Sequence, residues 1–81
     1  MSTIFATVAV VCTMAQCSDY VIDPGVSQGD AEINTVIHNS EYQKVWQDEK
    51  GLTSWLAKYQ IGETIFEIVS IDIETQEVEI P

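Results

Sequence analysis

The sequence predicts an α+β domain: one antiparallel sheet of five or six strands, with a single helix near residues 48–61 packed on one face. Three observations carry that expectation. An uncharged, β-branched run opens the chain. One stretch of helical periodicity lies past its middle, and alternating acids and aliphatics close it.

Thr3 to Thr13 is apolar on both alternating faces, with Ile4, Ala6, Val8 and Val10 in one phase and Phe5, Ala9 and Val11 in the other. Such a strand is covered on both sides or lies at an interface. Asp19 to Asp23 reads as a short second strand, stopped by Asp23-Pro24-Gly25, because Pro removes a donor and Gly tolerates positive φ. Val26 to Asp30 reads as a loop.

Glu32 to His38 is rich in β-formers, Asn39-Ser40 suits a turn, and Glu41 to Gln47 alternates, so a second hairpin is expected. The rival is a helix from Ser40, where Ser40 and Gln43 form a capping box and Tyr42, Val45 and Trp46 share a face. The bulk of Trp46 and the branching of Val45 favour the strand.

Leu52, Trp55, Leu56 and Tyr59 recur at i, i+3, i+4 and i+7, one apolar stripe of a helix over 48–61. Asp48 caps it, Glu49 suits its first turn, Lys58 complements its C-terminal dipole and Gly62 takes the position that ends it. Glu63 to Glu74 then reads as a long strand and Glu77 to Ile80 as a short one, with Thr75-Gln76 between them.

In that last hairpin Glu74 faces Glu77, Ile73 faces Val78, Asp72 faces Glu79 and Ile71 faces Ile80. A slip of one residue would set acids against aliphatics. Like charges opposite one another cost a few tenths of a kcal/mol to about 1 kcal/mol. Acids along one strand face lie ~7 Å apart, the order of the spacing between phosphates on a nucleic-acid strand. The expectation is a line of carboxylates imitating that backbone. The plainer expectation is a solvated face that keeps the protein soluble.

The chain has 81 residues, 13 acids, three lysines and no arginine, for a formal net charge of −10. One domain is expected over 1–81. Direct nucleic-acid binding is excluded, because it needs clustered bases, and so is an anionic membrane surface. Met1 to Ser18 carries no charge, but a signal peptide needs a basic n-region and no Lys or Arg precedes Lys44. A cytoplasmic protein is expected, and with it reduced Cys12 and Cys17, although a loop over Thr13 to Gln16 would set the two thiols face to face.

No enzyme is expected. His38 is the single histidine, no Gly-rich phosphate loop precedes a lysine, and no nucleophile elbow occurs. No cofactor or metal is expected either: Asp19, Asp23 and Asp30 flank a Pro/Gly loop without calcium-loop spacing.

The functional expectation is a non-enzymatic inhibitor that occupies the basic groove of a nucleic-acid-binding protein. Size and acidity fit the small proteins that phages direct against their hosts, of the anti-CRISPR, nucleoid-protein or restriction-inhibitor kind. Glu63, Glu67, Asp72, Glu74, Glu77 and Glu79 supply the charge, and Tyr42 and Trp46 supply aromatic anchors. The alternative is an assembly module, a homodimer pairing through Ile4, Phe5, Val8 and Val10 of the uncharged strand.

Overall fold

The computed structural model describes residues 2–25 and 27–80. Three strands and two helices follow in the order β1 (Ser2–Thr13), β2 (Cys17–Pro24), α1 (Gln28–Gln43), α2 (Glu49–Lys58) and β3 (Ile68–Ile80). The sheet is antiparallel with order β2-β1-β3. This replaces the expected five or six strands and one helix.

β1 is the central strand, flanked on both edges, but the helices cover only its Thr7, Ala9 and Val11 face, not both faces as expected. Its ladder to β2 runs from Ala6 to Cys12, and its ladder to β3 from Ser2 to Thr13. The β1–β2 turn closes with the Thr13 N–H donating to Gln16 O at 2.8 Å, while the Thr13 hydroxyl oxygen accepts from the N–H groups of Ala15 and Gln16. Cys12 then lies directly opposite Cys17, and the two form a disulfide. The expected reduced pair is corrected, because the hairpin register itself brings the two thiols together.

The second expected hairpin is instead α1. Ser27 caps it by accepting from Asp30 N–H at 3.2 Å, and Asp30 sits in its first turn. The stripe that meets the sheet is Ala31, Thr35, His38 and Tyr42, which is small or amphipathic rather than aliphatic. The aliphatics Ile33, Val36 and Ile37 point to solvent. The β-formers that suggested a strand are therefore the solvent face of a helix. Ala31 is fully buried, and Gly25 shows why it must be so close: a Cβ on Gly25 would lie 2.9 Å from Ala31 Cβ and 3.0 Å from Phe5 O. Gly25 serves close approach here, since no glycine in the described residues has positive φ.

α2 carries the expected stripe over a shorter span. Its end is a Schellman motif, in which Ile61 N–H donates to Leu56 O at 2.9 Å and Gln60 N–H to Ala57 O at 3.1 Å. Gln60, at φ 57°, takes the left-handed position expected of Gly62. The buried pair Leu56 and Ile61 supplies the accompanying apolar contact.

The core lies between the helices and one sheet face, where Ala9 and Val11 meet Trp55, Leu56 and Ile61, bordered by Tyr20, Tyr42, Ile71 and Ile73. The Trp55 ring lies 5.2 Å from that of Tyr42, tilted, and 5.2 Å from that of Tyr59, edge-on. A buried threonine, Thr7, ties three elements together. Its hydroxyl lies 3.0 Å from that of Thr35 on α1, which in turn lies 2.7 Å from that of Thr75 on β3.

Candidate interaction surface

The acidic hairpin expected at the C-terminus does not form. Residues 68–80 are one strand, and Thr75-Gln76 lies in its middle, Thr75 paired with Thr7 and Gln76 with Ala6. Twelve residues of β1 offer a complete ladder to an extended partner, which a tight turn lacking Gly or Asn cannot match. Glu74 therefore does not face Glu77, nor does Asp72 face Glu79.

Alternation along the continuous strand divides the four acids. Ile71 and Ile73 point into the core, so Asp72 and Glu74 lie on the face without helices, and Glu77 and Glu79 lie on the helix side. All four are exposed. On the face without helices, the row Asp19–Val10–Asp72 sets carboxylates on both outer strands, flanking an apolar centre. Glu74 accepts from the Gln76 amide at 2.6 Å.

Glu63 and Glu67 lie apart, in the segment between α2 and β3. The Tyr20 hydroxyl donates to Glu63, and this bond, followed by desolvation, raises the Tyr20 pKa above its usual value. Glu67 accepts from the Thr64 hydroxyl at 2.9 Å within its own turn. This segment and α2 bound an open cavity of about 430 Å³, lined among others by Leu56, Ala57, Ile61, Ile65, Glu49 and Glu63. Phe66, 86% exposed, stands at its edge. Periodicity gave no signal for this cavity, because it is made by the return of the chain after α2.

Of the two expected anchors, Trp46 is 48% exposed, whereas Tyr42 is half-buried against Trp55. Burial, with a contribution from the Asp72 charge, raises the Tyr42 pKa. The expected pairing residues Ile4, Phe5, Val8 and Val10 belong to a strand already flanked from Ala6 to Cys12 on both edges, so that stretch has no edge to offer a copy. Ile4, Val8 and Val10 line the face without helices, while Phe5 points to the helix side. Val8 is itself 1% exposed.

Basic side chains are confined to the helical layer, which also carries Asp30, Glu32, Glu41, Asp48 and Glu49. The strands hold Asp19, Asp23, Asp72, Glu74, Glu77 and Glu79 and no base; Lys44, Lys50 and Lys58 all lie on or beside the helices. Lys58 is held by Glu41 of α1 at 3.1 Å, a bond that raises its pKa.

One further polar chain joins the layers. His38 Nε2 lies 2.8 Å from Asp23 Oδ2, and Tyr59 Oη lies 3.1 Å from His38 Nδ1. It links β2, α1 and the end of α2. Among the described residues no three His, Cys, Asp or Glu side chains converge where a metal ion could sit. No helix among them is long and apolar enough to cross a membrane. No protein-family model, no curated protein and no solved structure matches this chain.

Proposed function

We propose that this is a small acidic, non-enzymatic binding protein that occupies the basic, nucleic-acid-binding surface of another protein, as a phage-type inhibitor does. One observation carries the reading: β3 places four exposed carboxylates within eight residues of an outer strand, in a sheet that contains no base. Each face of the strand carries one pair of acids ~7 Å apart, Asp72 with Glu74 and Glu77 with Glu79, so the edge where the two faces meet presents all four charges to a basic partner. That field steers a basic partner and repels nucleic acid itself. The Asp23–His38–Tyr59 chain connects three elements and supports a structural role.

The test is binding to a panel of basic nucleic-acid-binding proteins at low and high salt, with and without competing DNA. Binding is expected to weaken as salt rises and to be displaced by DNA, because screening removes an exposed charge interaction. The quadruple variant Asp72→Lys, Glu74→Lys, Glu77→Lys, Glu79→Lys is expected to lose it. Undiminished binding by a folded quadruple variant would show that β3 is not the contact.

A further inference from the structure

We infer that β3 engages its partner by strand addition: its outer edge accepts a basic β-strand, with backbone hydrogen bonds supplying the contact and the four acids selecting the sequence. This rests on the acidic-binding reading and specifies its geometry.

The two outer strands of the sheet differ in how their edges are guarded. β2 is eight residues long, contains a bulge where Ile22 has no partner on β1, and ends at Pro24. Short length, bulges and proline are the usual means of blunting an edge. β3 is thirteen residues long, and its register with β1 is unbroken from Ser70 to Ile80, without proline or glycine. Among the described residues no backbone group pairs with its outer side. Alternate residues of that stretch therefore hold out a free N–H and C=O, a template for another strand.

Charge decides which strand. Asp72, Glu74, Glu77 and Glu79 are spaced two, three and two residues apart, a pattern that reads the same in both directions. A second copy aligned antiparallel about the centre of that pattern sets all four acids against acids. A shift of one residue sets them against Val78, Gln76, Ile73 and Ile71 instead. The first arrangement is repulsive and the second leaves three of the four acids against aliphatics, so neither register offers a copy complementary charge, although Ser70 to Ile80 carries no proline or bulge. A strand with lysine or arginine at the same spacing meets all four acids, two on each face, in either direction.

The probe is a ten-residue capped peptide of threonine and valine, with four lysines spaced two, three and two apart, added to the full chain. Binding is expected, and hydrogen exchange should slow at alternate amides of Ser70 to Ile80, the set facing away from β1. Methylating the peptide's edge-facing backbone nitrogens should weaken binding ~10-fold or more, while methylating the opposite set leaves it unchanged. A peptide with glutamate for lysine should not bind. Equal binding by both methylated peptides, or binding without protection of β3, overturns strand addition and leaves the acidic-binding reading intact. Absence of peptide binding overturns strand addition as well, and the quadruple variant tested against basic proteins judges the broader reading separately.

Discussion

Thr35→Val tests the polar bridge that fixes α1 on the sheet. The Thr35 hydroxyl lies 2.8 Å from Ala31 O, 3.0 Å from Thr7 Oγ1 and 2.7 Å from Thr75 Oγ1. With its one proton on the Ala31 carbonyl, its oxygen accepts from both partners. Valine keeps the shape and removes both acceptances. Each hydrogen bond is worth about 1 kcal/mol net, and a buried methyl returns up to about 0.8 kcal/mol. Thr7 is fully buried, but it can turn to Ala31 O, which lies 3.3 Å away. The expected loss is about 1–2 kcal/mol, a fall in Tm of about 5–15 °C for a domain of this size. Thermal and urea unfolding followed by circular dichroism measure it. Replacing Thr7, Thr35 and Thr75 together by valine should cost less than the sum of the three single changes, because no donor or acceptor is then left stranded. A single variant as stable as the parent, or strictly additive effects, would refute the coupling.

Two other outcomes are expected. Replacing Cys12 and Cys17 together by serine should lower stability by about 2 kcal/mol, the loop-closure value for a five-residue separation, read from urea midpoints; an unchanged midpoint would mean that the bridge does not constrain the unfolded chain. The Tyr20 hydroxyl, donating to Glu63, has its pKa raised, so the folded chain holds that proton after the unfolded chain has released it. Its contribution is complete below about pH 10, the ordinary tyrosine value, and is lost as pH climbs through the raised one. Tyr20→Phe should flatten that alkaline limb of a stability–pH curve, and an identical limb in the variant would assign it elsewhere.

Where side-chain chemistry and periodicity agreed, local reading sufficed. Thr3 to Thr13 is uncharged and β-branched, and it forms β1; its central place comes from pairing on both edges, and the helices cover one of its faces. Leu52, Trp55, Leu56 and Tyr59 form a stripe with two aromatics, and α2 buries it against the sheet. α1 reversed the rule. Its inner stripe of Ala31, Thr35, His38 and Tyr42 binds through small size and hydrogen bonds, while its aliphatics face water. A capping signal was present in Ser27 and Asp30, within a stretch whose composition suggested a loop.

The candidate surface divides in the same way. The sequence by itself determined that the last third of the chain is acidic, without a base after Lys58, and that alternation would expose the acids. It could not determine the partner of each residue. A turn at Thr75-Gln76 and a continuous strand share the same local pattern of aliphatics and acids. Only the long ladder of β1 and the hydroxyl contact from Thr35 to Thr75 select the continuous form. That choice separates Glu74 from Glu77 and turns an expected double row of carboxylates into one exposed strand edge, because strand pairing is decided by residues some 70 positions away in the chain.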